Sequence, residues 1–202
     1  MKKILISNLN AMKKDIILCG VGGQGILSIA TIIGEAATRA DINLKQAEVH
    51  GMSQRGGDVQ SNLRLSTDPI YSDLISKGGA DLIISMEPME ALRCLPYLSK
   101  DGVIVTSNKP LVNIPNYPEE EALFAELASL PHVVQLDIEA VAKDAGSVRS
   151  ANVVLLGMAA KYIEIVSADA LRQAVATVFA RKGEKIVESN LKAFDMGAET
   201  SK

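Results

Sequence analysis

Short apolar runs that end in glycine alternate with stretches of helical period over the first two-thirds of the chain. Asp-Ile-Ile-Leu-Cys at residues 15–19 is apolar after its first residue, as a strand buried on both faces is, and stops at a glycine cluster. Beyond it, Ile26, Ile29, Ala30, Ile33, Ala36 and Ala37 recur at helical spacing across residues 26–39. The pattern reads strand, glycine-rich turn, helix. Residues 44–49 predict a second strand. Residues 59–65 alternate, with Val59, Ser61, Leu63 and Leu65 on one face and Gln60, Asn62 and Arg64 on the other. That polar face is expected to look toward solvent, a partner chain or a ligand.

Further strands are predicted at 81–85, 102–106 and 132–138. A helix starts near Glu87-Pro88 and runs through Leu95, with proline at a favourable first helical position. Three prolines between Pro110 and Pro118 mark a loop, and residues 119–128 a short helix with an acidic start. The last third changes character, with successive helices at 152–166, 168–180 and 184–194. Strands alternating with helices before that point imply an α/β fold: a doubly wound, mostly parallel, Rossmann-like sheet with a helical C-terminal segment. No repeat or linker divides it, so residues 12–202 read as one domain. Residues 1–11 precede a second Met-Lys-Lys at 12–14 and read as a disordered extension or an upstream start.

Charge and cysteine usage narrow the function classes. With 21 basic against 24 acidic side chains and 3% aromatics, the chain has no basic stripe for nucleic acid to bind. No apolar run approaches the roughly 18 residues of a membrane span, and no signal peptide is evident, so a cytoplasmic protein is expected. Cys19 and Cys94 are the only thiols, too few to hold an iron-sulfur cluster or a four-thiolate zinc site. They are expected to stay reduced, and no metal site is predicted.

The sharpest local feature is Gly20-Val21-Gly22-Gly23-Gln24-Gly25, a G-x-G-x-x-G between strand and helix. There, glycines let the backbone approach an anion, and the free amides of the helix start point at it. Glu48 lies where a dinucleotide fold places its ribose acid, so a stand-alone NAD- or FAD-dependent oxidoreductase is one reading. The other is that the glycines permit only a tight turn and close helix packing. A second segment, Glu48-Val49-His50-Gly51-Met52-Ser53-Gln54-Arg55-Gly56-Gly57, is polar and glycine-rich. It can close on a carboxylate or phosphate with Arg55 as a bidentate fork, dock on a partner, or serve as a structural turn. Glu87, after a strand and before a proline, is either a ligand-facing acid or a helix cap. His50 reads as a proton shuttle or a structural histidine, and the methionines as core or interface filler.

Together the two glycine segments, followed by Val59-Gln60-Ser61-Asn62-Leu63-Arg64, resemble the gamma-type domain of 2-oxoacid:ferredoxin oxidoreductases. The resemblance continues through Ala80-Asp81-Leu82, Glu87-Pro88-Met89-Glu90-Ala91, residues 152–157 and residues 190–197, covering nearly the whole chain after Met12. It differs at Ser53, where alanine is frequent. It implies a subunit of an enzyme that decarboxylates a 2-oxoacid, here an aryl pyruvate, on thiamine diphosphate. Electrons then pass through iron-sulfur clusters to ferredoxin, and the acyl group passes to coenzyme A. It also implies that thiamine diphosphate, magnesium and the clusters sit on a larger partner, since this chain lacks the Gly-Asp-Gly followed by an Asn pair that holds thiamine diphosphate and its magnesium, and two isolated cysteines exclude a cluster. No cofactor is then bound by this chain alone. Under it, Gly20, Gly22, Gly23, Gln24, Gly25 and Arg55 face an anionic group. Glu48, His50, Gly51, Met52, Ser53, Gln54, Gly56, Gly57, Gln60, Asn62, Arg64 and Glu87 face substrate or partner. A purely structural interaction module is the remaining class.

Overall fold

The computed structural model describes residues 12–50 and 56–200. Six strands, β1 (Lys13–Val21), β2 (Asn43–His50), β3 (Asp58–Ser66), β4 (Ala80–Ser85), β5 (Leu98–Ser107) and β6 (Val133–Leu136), form one sheet in the order β2-β3-β1-β4-β5-β6. The pairs β1/β4, β4/β5 and β5/β6 are parallel, whereas β3 is antiparallel to both β1 and β2. Among the described strands β3 alone runs backwards, and chain length explains it. Only seven residues separate His50 from Asp58, too few for the dozen or so that a parallel crossover needs.

Helices cover both faces. On one, α1 (Ile26–Arg39) and α5 (Ala151–Ile163) pack Ile29, Ile33, Val153 and Leu156 on Ile16, Leu18, Leu63, Leu82 and Ile84. On the other, Ile17, Cys19, Ile83 and Ile104 meet Ala91 and Cys94 at α2 (Pro88–Arg93). Nearly all of α5 is buried, as a helix apolar all round its circumference must be. It is sandwiched between the sheet and α7 (Glu184–Glu199), with α6 (Ala168–Phe179) alongside. At the α5/α7 crossing a Cβ on Gly157 would run into the Phe194 carbonyl oxygen, and one on Gly197 into that of Val154. Backbone meets backbone there. Helix α3 (Glu120–Ser129) completes the periphery. No helix among the described residues is long and apolar enough to cross a membrane.

Two expectations are corrected. The strand expected to run to residue 138 ends at Leu136, and α4 (Ile138–Ala145) follows at once. Asp137 caps it by accepting from the Ala140 amide at 2.9 Å, and Gly146, at φ 115°, ends it. The polar face of β3, expected to look outward, is covered from within. Residues 67–79 fold back over it, and Asn62, 2% exposed, accepts from the Ile75 amide at 3.1 Å. Arg64 grips the buried Asp15 through Nε at 2.7 Å and Nη2 at 3.1 Å, and donates from Nη1 to the carbonyls of Ser72 and Leu74. Asn62 and Arg64 therefore close a loop onto the sheet. Gln60 stays half-buried.

Candidate functional site

The chain leaves β1 at the carboxyl edge of the parallel strands, where ligands gather in open α/β sheets. Gly20–Gly25 turns it into α1. Gly25 sits at φ 88°, and a Cβ there would come within 2.8 Å of the Asn152 amide nitrogen, so backbone conformation and space both require glycine. Gln24 accepts from the Val21 amide at 2.7 Å and donates to the Met86 carbonyl at 3.4 Å, so its side chain holds the turn in shape. Gly22 donates to Gly57 at 2.8 Å and accepts from Gly56 at 3.3 Å, tying the turn to the end of the second glycine segment. Since Gly25 brings no capping side chain, the first-turn N–H groups of α1 form an uncapped, positively polarised end.

Two spaces flank this turn. On one side a cavity of about 490 Å³ is lined by Gly22, Gly23, Leu27, Glu48 and Val59. On the other, a groove of about 510 Å³ runs between Gly22–Gly25, Met86, Leu111, Arg149, Asn152 and Lys182. It continues into a shelf of about 460 Å³ along Lys109, Pro110, Asp137 and Lys143. Asn152 donates from Nδ2 to the Gly25 carbonyl at 3.1 Å, while its Oδ1, though buried, meets no donor among the described residues. Neither Arg149 nor Lys182 forms an ion pair among the described residues, and the Lys182 ammonium lies 5.0 Å from the centre of the Phe179 ring. A turn rich in amides and two cations thus line one groove, and the Glu139 carboxylate lines it too.

Acids gather behind the turn. Glu87 is fully enclosed and caps α2, its Oε2 accepting from the Glu90 amide at 2.9 Å. Of its two expected roles the cap is the one observed, and no face of it is left for a substrate or partner. Glu90 is 3% exposed, and burial pushes its carboxyl up to about 7. Arg93 pulls the other way, while Glu87 and Asp58 add to the rise. The folded protein therefore keeps a proton on Glu90 that the unfolded chain releases near the ordinary 4.5. Stability should fall as pH rises from about 4.5 to about 7 and then level off. Urea midpoints measured across that range check this, and Glu90→Gln should flatten the slope. An unchanged slope in the variant would assign it to other groups. The Cys19 thiol is likewise raised, by burial first and then by the neighbouring Cys94.

The structure brings Gly20, Gly22, Gly23, Gln24, Gly25, Gly56 and Gly57 together and places Glu48 beside them. It also inserts β3 between β1 and β2, so Glu48 stands one strand farther from the turn than in a dinucleotide fold. Its carboxylate accepts from Gln46 at 2.9 Å. Gly51, Met52, Ser53, Gln54, Arg55, the His50 side chain and residues 1–11 lie outside the described residues. Arg149, Asn152 and Lys182 were not singled out by sequence reasoning. Each is remote from the glycine turn in the chain, and no local spacing joins it to that turn.

The model of the pyruvate ferredoxin/flavodoxin oxidoreductase family matches residues 15–200. An indolepyruvate oxidoreductase subunit IorB from Archaeoglobus fulgidus is 37% identical over 199 residues, spanning 92% of this chain and 94% of the relative. Among solved structures, the gamma subunit of a keto/oxoacid ferredoxin oxidoreductase from Geobacter sulfurreducens superposes with a TM-score of 0.68 at 27% identity, over 93% of this chain and 98% of that one. A 2-oxoglutarate:ferredoxin oxidoreductase from Magnetococcus marinus, solved with 2-oxoglutarate, coenzyme A and succinyl-CoA bound, shares the fold at a TM-score of 0.72 and 23% identity. The match covers 94% of this chain and 31% of that one.

Proposed function

We propose, for a chain that belongs to the pyruvate ferredoxin/flavodoxin oxidoreductase family and is a small subunit of a 2-oxoacid:ferredoxin oxidoreductase, that it completes the active-site chamber of an enzyme acting on indolepyruvate and related aryl pyruvates. On this reading the larger subunit would supply the decarboxylation of the 2-oxoacid and the passage of electrons to ferredoxin, with coenzyme A as the acyl acceptor. Thiamine diphosphate, magnesium and the clusters belong to that larger subunit. The described residues do not fit the clusters or a metal: both thiols are buried, and no three His, Cys, Asp or Glu side chains among them converge on a metal-sized site.

This chain contributes the groove. The carrying observation is that the uncapped α1 end, Arg149 and Lys182 line one space. Such a wall suits an extended ligand that bears phosphate, as coenzyme A does.

The test uses the intact complex of this chain with its larger subunit. Arg149→Ala should raise KM for coenzyme A about tenfold, a loss of about 1.4 kcal/mol of binding, and leave KM for the 2-oxoacid unchanged. A rise only in KM for the 2-oxoacid would move the groove to the substrate side. No change in either would remove it from the site. Turnover of indolepyruvate against pyruvate and 2-oxoglutarate in the same complex tests the substrate assignment.

A further inference from the structure

Glu87 makes more bonds than a helix cap requires. Capping uses one carboxylate oxygen, and Oε2 supplies it to the Glu90 amide. Oε1 accepts two further donors, the Leu111 amide at 3.3 Å and the Tyr117 hydroxyl. Both come from residues 108–118, the proline-rich stretch between β5 and α3. This strap has a second anchor, since Asn113 donates from Nδ2 to the Gly56 carbonyl at 2.8 Å. Gly56 in turn donates to Gly22 in the glycine turn.

The strap is also a wall. Leu111 lines the groove together with Gly22–Gly25, and Lys109, Pro110 and Leu111 line its shelf. Glu87 lies beneath, completely shielded from water, and no cation pairs with it among the described residues. Three neutral donors hold its carboxylate. A buried acid so arranged is costly unless every donor stays in place, so it discriminates sharply between the seated strap and a displaced one.

We propose that Glu87 is a positioning residue for the groove: through the Leu111 amide and the Tyr117 hydroxyl it fixes the strap at the width that coenzyme A requires. The proposal rests on the reading that the groove takes coenzyme A. It assigns to Glu87 no contact with the ligand and no chemistry.

Tyr117→Phe removes one donor and keeps the ring, so it should fold. Glu87→Gln replaces an acceptor oxygen by an NH2 that faces donors already in place. In the intact complex each variant should raise KM for coenzyme A about tenfold while kcat falls less than about twofold. Amide hydrogen exchange across residues 108–118 should speed up in both, with exchange in β1 and β4 unchanged. Faster strap exchange with an unmoved KM would overturn the proposal, and so would unmoved exchange. Arg149→Ala separates the two levels: if it shifts KM for coenzyme A and the Glu87 and Tyr117 variants do not, Glu87 loses its role and the groove keeps its ligand. If none of the three shifts it, the groove reading itself fails.

Discussion

Gly157→Ala is expected to cost about 3 kcal/mol of stability and to lower the melting temperature by roughly 10 °C. The added methyl would enter space held by the Phe194 carbonyl oxygen and come within 3.0 Å of the Ala198 amide nitrogen. Neither neighbour can rotate away, because both are backbone of α7. The helices must separate, and their packing is among the most extensive in the molecule, since α7 covers the outer side of a helix that is buried all round. Alanine's better helix propensity returns only about 1 kcal/mol. Gly197→Ala strikes the same crossing from the other helix, so the double variant should lose clearly less than the sum, the first substitution having already opened the gap. Thermal and urea unfolding of the single and double variants measure this. A neutral Gly157→Ala would mean that the helices do not cross as closely as described.

Asp15→Ala should be comparably damaging, by about 3 kcal/mol. Asp15 is 4% exposed and shares a two-pronged ion pair with Arg64, with Lys13 adding a bond at 3.0 Å. Its removal strands a guanidinium that is three-quarters enclosed, and the carbonyls of Ser72 and Leu74 cannot neutralise it. The 67–79 segment should loosen with it. Asp15→Ala combined with Arg64→Met should recover part of the loss, because no unpaired charge then remains inside. Burial raises the Asp15 carboxyl, but the hydrogen bonds from Arg64 and Lys13 outweigh it, and the net shift is below the ordinary 3.8. Its contribution is therefore complete above 3.8 and disappears as pH falls through the lower folded value. That slope is opposite in sign to the one from Glu90, and urea midpoints in acid separate them.

The elements legible in the sequence were those whose period or punctuation is local. Helix α1 lies over the residues its spacing predicts, and the glycine turn stands where the strand gives out. Helix α4 was equally readable, with Asp137 at its start, Gly146 at its end and Ile138, Ala142 and Ala145 on its buried face. The strand reading that ran to residue 138 obscured it. The cover over β3 escapes the sequence for a different reason. Alternation shows that Asn62 and Arg64 share a side, but only the path of residues 67–79 decides that the side is covered. The same limit governs the site. The glycine turn has a local signature, whereas Asn152 reaches Gly25 across 127 residues of chain and Tyr117 reaches Glu87 across 30.

The reversed strand has a consequence for synthesis. β1 sits inside the sheet, yet both its neighbours, β3 and β4, are made after it. On the ribosome β1 therefore emerges with two unsatisfied edges and the apolar stretch from Ile16 to Cys19 on show, while β2, the next strand made, does not touch it. Such an edge is a template for pairing with another chain. At a translation rate of about 5–20 residues per second, that exposure lasts several seconds before Asp58–Ser66 and then Ala80–Ser85 clear the exit tunnel. Helix α1, made directly after β1, covers one of its apolar faces in the folded protein, so its early docking would shorten that exposure.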